Sequence, residues 1–299
     1  MSHEHGLVRP GTQYRRRLTV TLAMVLGFMV VEVVTALITG SLSLLSDAGH
    51  MAADGLGLAM ALAAMVAADR AGTGDHRTFG LYRLEILAAL ANAVLLFGVA
   101  VYVLWEAARR FSDPTEVLSG PMLIVAILGL VVNLIAWRLL RPGATASLNL
   151  EGASLEVFAD LVGSVGVILA ALITRFTDWP YADPLFAAAI GLFILPRAWR
   201  LGRRAVRVLV QAAPEGMDVG ELRINLEQIE GVLDVHDLHV WTLTTDMPVA
   251  SLHLMVADGT DPHPVLDQAR SLLSDRYGVS HATLQVEPDT HVGCAEVTW

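Results

Sequence analysis

Six apolar runs, each roughly 20 residues and so long enough to cross a bilayer as a helix, occupy the first two thirds of this 299-residue chain. They fall at about 17–38, 43–67, 84–107, 119–140, 155–174 and 183–199. A helix satisfies its own backbone polar groups in hydrocarbon, so the runs predict a membrane α-helical domain of six spans. The mean hydropathy of +0.55 agrees. The first run is too long, and is followed by too many others, to be expected as a cleaved signal peptide.

Arginine placement orients these spans, because short cytoplasmic loops are enriched in basic residues. Arg15, Arg16 and Arg17 precede the first run, Arg70, Arg77 and Arg83 separate the second from the third, and Arg138 and Arg141 follow the fourth. Arg197, Arg200, Arg203, Arg204 and Arg207 close the sixth. Both termini are therefore expected in the cytoplasm, with the chain in a cell (inner) membrane. On the opposite side only Arg175 and the Arg109–Arg110 pair break the pattern.

Beyond residue 211 the composition changes. Residues 212–299 carry fifteen Asp and Glu against three Arg, a charge of −12, whereas the preceding part carries +2. Nucleic-acid binding wants a basic face, so an acidic tail argues against it; such a tail would raise the local concentration of cations or serve solubility alone. Long apolar runs give way to short ones. Asp218 caps a helical pattern over 218–229; "VLDVHDLHVWTL", "VASLHLMVA" and "HATLQVEP" alternate as strands do; and "PHPVLDQARSLLSDRYG" reads as a second helix. This α-β-β-α-β order predicts a small α+β domain. The expected boundaries are a cytoplasmic segment at 1–16, a membrane domain at 17–208, a cytoplasmic domain at 209–291 and a tail at 292–299. The single cysteine, Cys294, excludes a disulfide within the chain and a cysteine-only zinc cage, and suits a reducing compartment.

The stretch "SLSLLSDAGHMAADGLGLAMALAAMVAA" poses the functional question, since burying an unpaired charge in a bilayer is costly. On a helix Asp47, His50 and Asp54 share one face. For Asp47 an N-terminal cap or an interfacial position is the simpler reading. The fifth run holds a second i, i+4 pair, Glu156 and Asp160. Two helices each presenting such a pair could supply four ligands, the usual number for zinc. Gly55, Gly57, Gly163 and Gly166 flank the pairs and would let the helices approach closely. Glu85, Asn92, Asn133 and Asp183 read as helix-packing or interfacial groups.

In order, "SLSLLSDAGHMAAD", "RTFGLYRLEILAALANAVLL", "LEVFADLVGSVGVILAALI", and "GVLDVHDLHVWTL" with "HATLQVE" resemble the motifs of the cation diffusion facilitator family, most closely its zinc-transporting branch. The resemblance covers nearly the whole chain. It implies six transmembrane helices, a cytoplasmic ferredoxin-like domain, a homodimer, and export of divalent metal from the cytoplasm in exchange for protons. Zinc would be the cargo, with cadmium or cobalt as further substrates, and the protons the counter-ion. By motif the transport site falls on His50, Asp54, Glu156 and Asp160. A regulatory cytoplasmic metal site would fall on His236, His253, His263 and Glu287, with Gln285 where some relatives have a ligand. A further loop site would use Asp69, Asp75 and His76.

The zinc branch usually has His where this chain has Glu156. With neutral imidazoles a two-His, two-Asp site carries −2 and balances one divalent ion; an ionised Glu156 makes it −3, an uncompensated charge in a low-dielectric place. Oxygen in place of nitrogen also makes the site harder. A manganese or iron exporter is the resulting alternative, and a non-transporting metal-sensing membrane scaffold a third. No H-E-x-x-H, G-x-S-x-G or Walker A motif is present, so neither an enzyme nor an ATP-driven pump is expected.

Overall fold

A computed structural model describes residues 12–70, 79–80, 82–144, 148–244 and 247–291; within the helices, the side chains of 12–18, 58, 60–70, 82, 142–144, 148–156 and 159 are outside the description. The chain divides into two compact units, residues 1–80 with 88–202, and residues 81–87 with 203–299.

The first unit is built from six long helices: α1 (Thr12–Thr39), α2 (Leu42–Arg70), α3 (Tyr82–Ser112), α4 (Ser119–Ala144), α5 (Leu148–Thr177) and α6 (Ala182–Leu209), the first residues of α3 and the last of α6 belonging to the second unit. Each runs past the apolar segment that announces it, mostly on the arginine-bearing side. Among the described residues, five contain stretches long and apolar enough to cross a membrane: Thr19–Thr39, Arg83–Ser112, Ser119–Arg141, Asp160–Thr177 and Ala182–Leu209. The second half of α2 lies among the undescribed side chains.

Packing separates the six helices into a ring and a pair. In the ring, α1 packs on α2 and α4, and α5 packs on the same two. Its core is Val25, Phe28, Leu44, Met51, Met122, Ala126, Val167 and Ala171 with their neighbours. In the pair, Gly191 of α6 brings that helix close to Ala100 and Leu104 of α3. Leu42, Val103, Ala107 and Ala187 then join the start of α2 to α3 and α6. Outward faces stay apolar: Leu37, Val94, Trp105, Ile124 and Phe193 are each more than 60% exposed. Such a belt would be a liability in water and suits acyl chains.

The second unit adds α7 (Val219–Glu227), β1 (Val232–Thr242), β2 (Pro248–Val256), α8 (Pro262–Tyr277) and β3 (His281–Pro288), the order expected from sequence. Asp218 accepts hydrogen bonds from the N–H groups of Gly220 and Glu221 and so caps α7, as its position predicts. Asp261 caps α8, and Gly278 ends it in the left-handed conformation at φ 68°. The sheet order is β1-β2-β3, antiparallel between β1 and β2 and parallel between β2 and β3. Leu222, Leu226, Val235, Leu252, Leu254 and Leu273 form its core.

Candidate metal centre

Helix geometry alone places His50 and Asp54 on the buried side of α2, and Asp160 on the buried side of α5. Antiparallel packing of the two helices makes the three side chains converge. One ligand atom from each lies within 4.8 Å of the others, and their exposures are only 3%, 7% and 1%. The His50 Nε2 and Asp160 Oδ1 atoms are 3.2 Å apart. Two ligands of a tetrahedral zinc ion, with bonds of roughly 2.0–2.1 Å, stand about 3.3 Å apart, so this edge of the site already has the spacing of a coordination shell.

The polar atoms here are poorly satisfied by protein. Apart from the 3.2 Å approach of His50 Nε2 to Asp160 Oδ1, the ring nitrogens of His50, Asp54 Oδ2 and Asp160 Oδ1 are buried without a hydrogen-bond partner among the described residues. Asp54 and Asp160 each bring a carboxylate oxygen within 4.8 Å of the other, close enough for their like charges to repel unless a cation or a proton stands between them. Arg197 on α6 is within electrostatic range of His50 and Asp160. A divalent cation would meet ready donors here, and a proton can bridge the same carboxyls. Glu156 lies on α5 one turn before Asp160, with its side chain outside the described residues, as are the loop candidates Asp69, Asp75 and His76.

Asp47 is not a cap. It sits well inside α2, 1% exposed, and the capping is done by other groups. Asp183, from the start of α6, accepts hydrogen bonds from the backbone N–H of Leu42 (2.7 Å) and Ser43 (3.1 Å) and from the hydroxyls of Ser41 (2.7 Å) and Ser43 (2.6 Å). Asn92 donates to the Ala53 carbonyl across α3 and α2, a packing role as expected. Of the flanking glycines, Gly55 faces Leu26, where an added Cβ would come within 2.6 Å, and at Gly163 one would stand 3.0 Å from Asp47 Oδ1. Gly166 has only ordinary contacts.

A second constellation forms on the sheet. His236 on β1 and His253 on β2 are register partners, their rings 5.2 Å apart and edge to face. Glu287 on β3 reaches both: its Oε1 is 2.7 Å from His236 Nε2 and 3.6 Å from His253 Nδ1. Gln285 donates to the other Glu287 oxygen at 3.0 Å, so it orients the carboxylate. The three ligand atoms lie within 4.8 Å of one another, and an imidazole pair with a carboxylate fits a zinc-type ion. His263 is exposed in the first turn of α8 and is not one of the three. His239, past an irregularity in β1 where Asp237 has φ 50°, pairs with Asp237 at 3.0 Å.

The model of the cation efflux transmembrane domain matches residues 18–210, and that of the cation efflux protein cytoplasmic domain matches 214–289. This chain belongs to the cation efflux family, the cation diffusion facilitators. The metal cation efflux system protein CzcD of Cupriavidus metallidurans is 44% identical over 96% of this chain and 89% of its own length. The zinc transporter ZitB of Escherichia coli is 40% identical over 98% of this chain and 96% of its own. The cadmium, cobalt and zinc/H(+)-K(+) antiporter of Bacillus subtilis is 36% identical over 97% and 93%. The chain is a divalent metal cation efflux transporter embedded in the membrane by several apolar helices, with a cytoplasmic C-terminal domain, and it is not an enzyme. These relatives lend no support to a manganese or iron exporter or to a non-transporting scaffold.

Proposed function

We propose that this chain is a proton-coupled antiporter that exports zinc, with cadmium or cobalt as further substrates, from the cytoplasm. The convergence of buried His50, Asp54 and Asp160 between two helices of a membrane bundle carries this reading. Glu156 completes the ligand set from one turn away on α5. A metal ligand must be deprotonated to bind, so loading releases protons and proton entry from the far side expels the ion. The Asp54–Asp160 contact is where a returning proton would lodge. The names of the zinc transporter and the antiporter relatives support both cargo and coupling.

On this reading all six long helices cross the membrane, both termini are cytoplasmic, and the membrane is the cell (inner) membrane. The cytoplasmic unit is a ferredoxin-like domain, and the protein works as a homodimer. His236, His253 and Glu287 would hold a resident regulatory metal, with His263 supplying a fourth ligand only after local movement. The same proposal keeps the boundaries 17–208 for the membrane domain and 209–291 for the cytoplasmic domain.

Sealed vesicles containing purified protein, given an imposed pH gradient and zinc, cadmium, cobalt or manganese in parallel, test the proposal. Gradient-dependent zinc uptake that disappears in Asp54→Ala is the expected result. Uptake indifferent to the pH gradient would remove the proton coupling, and uptake retained in Asp54→Ala would remove the site.

A further inference from the structure

One helical turn from the three-residue centre lies a second buried polar layer that the transport site does not use. Glu32 on α1 is 0% exposed, and among the described residues both its carboxylate oxygens lack a hydrogen-bond partner. Asp47 on α2 is 1% exposed, and its Oδ1 also lacks one. Asn133 on α4 is 0% exposed; its Nδ2 donates to Ser164 Oγ at 3.2 Å while its Oδ1 has no partner. Ser164 on α5 is equally buried, and both Ser164 and Glu32 lie within interaction range of Asp47.

Each helix of the ring thus gives one oxygen-bearing side chain. Glycines make the room: an added Cβ at Gly129 would stand 3.0 Å from Glu32 Oε1, and one at Gly163 3.0 Å from Asp47 Oδ1. Two like carboxylates buried together without a cation are strongly unfavourable. A single shared proton would still leave one negative charge and the Asn133 oxygen unused. Two carboxylates, an amide oxygen and a hydroxyl are instead an ordinary oxygen shell for a divalent ion, and their charge of −2 balances it.

We propose that Glu32, Asp47, Asn133 and Ser164 form a second binding station for a divalent metal ion, between the inner centre and the non-cytoplasmic face. This rests on the transport reading and deepens it. Asp47 precedes His50 by one turn on α2, and Ser164 follows Asp160 by one turn on the oppositely directed α5, so the layer is displaced about 5.4 Å toward the end where α1 meets α2. On the proposed orientation that end faces outward. An ion leaving the inner centre exchanges an imidazole for oxygens alone, which hold zinc less tightly and so favour release.

The test uses the full chain in lipid nanodiscs, with the other centres disabled by Asp54→Asn, Glu156→Gln, Asp160→Asn, His236→Ala and His253→Ala. Manganese, a hard ion, is the probe, and equilibrium dialysis with metal analysis the readout. One bound equivalent is expected, weakened at least tenfold by Glu32→Gln or Asp47→Asn. No equivalent in that background, or one indifferent to both substitutions, overturns the station. Should the multiple variant not fold, anomalous density from manganese in crystals of the unaltered chain decides: a peak between Glu32 and Asp47 supports the proposal and its absence overturns it. Intact manganese binding in Glu32→Gln with lost response of uptake to the pH gradient also overturns it, and makes the residue a proton carrier. If the unaltered chain binds manganese at this layer yet moves no metal, the antiporter reading falls and the station stands.

Discussion

Glu156 departs from the family's zinc branch, and its effect is local chemistry. On the proposed reading, in which Glu156 is the fourth ligand, a carboxylate would add a negative charge and substitute oxygen for nitrogen, so the loaded centre would have to hold an extra proton or accept harder ions. Glu156→His is expected to raise the preference for zinc over manganese by at least about tenfold, the scale on which changes around a metal alter affinity. It should also make the rate of transport less dependent on pH. Competition uptake across a pH series reads both, and an unchanged ratio with an unchanged profile refutes the role given to Glu156. His50, Asp54 and Asp160 were legible in sequence because each helix announces a pair at i, i+4, although the side chain of Glu156, which precedes Asp160, is outside the described residues. Glu32 carries no such sign. It stands alone in "VVEVVTA", and its neighbours come from α2 and α4, so no single-helix periodicity could find it. Asp47 was visible, but proximity to the start of α2 suggested a cap until Asp183 was seen in that role.

At the level of elements, the start of α2 is fixed by a group 140 positions away in sequence. The first N–H groups of a helix have no partner within it, and at Leu42 and Ser43 they meet the Asp183 carboxylate, itself 1% exposed. Arg110 Nη1 stands 3.6 Å from the same carboxylate and donates to the Gly40 carbonyl at 2.5 Å, while Arg109 and Arg110 both bond to Glu106. These contacts account for the two arginines that break the sidedness pattern: Glu106 pairs with both and Asp183 stands beside Arg110, so two carboxylates balance the two guanidinium charges locally. Asp183→Ala would strand two buried N–H groups and loosen the Arg110 network, at a cost of about 3 kcal/mol or more. A clear fall in the unfolding midpoint of the detergent-solubilised protein is expected, with Asp183→Asn falling less because an amide oxygen still accepts. Since His50 and Asp54 are borne on the next turns of α2, transport should fall along with stability. Equal midpoints for both variants and the unaltered protein would show that α2 is held by its packing alone. The helices and strands themselves were readable from hydropathy and alternation; the division into a ring and an α3–α6 pair was not, because six similar apolar runs do not state who their neighbours are.

For the whole molecule the question is what an acidic cytoplasmic domain contributes to an exporter of cations. With −12 over residues 212–299, two copies brought together in a homodimer repel each other, and the repulsion is greatest at low ionic strength. On the proposed reading of a homodimer with a regulatory site, metal held at His236, His253 and Glu287 would add positive charge to each domain and shift the pair toward association, which would couple the concentration of cytosolic metal to the arrangement of the membrane helices. The effect is then on the equilibrium between arrangements and leaves the chemistry at His50, Asp54 and Asp160 untouched. Replacing His236 and His253 together by Ala should therefore leave transport at saturating zinc close to that of the unaltered protein, while the zinc concentration for half-maximal rate rises several-fold, within the usual 5–150-fold range of coupling between sites. Raising the ionic strength should shrink the difference, because screening does part of what the metal does. Concentration-dependent uptake into vesicles, measured at two salt levels, separates the possibilities. A half-maximal concentration unmoved by the double substitution would mean that the domain only assembles the dimer, and a fall in the saturating rate itself would mean that the sheet site lies on the path of the transported ion.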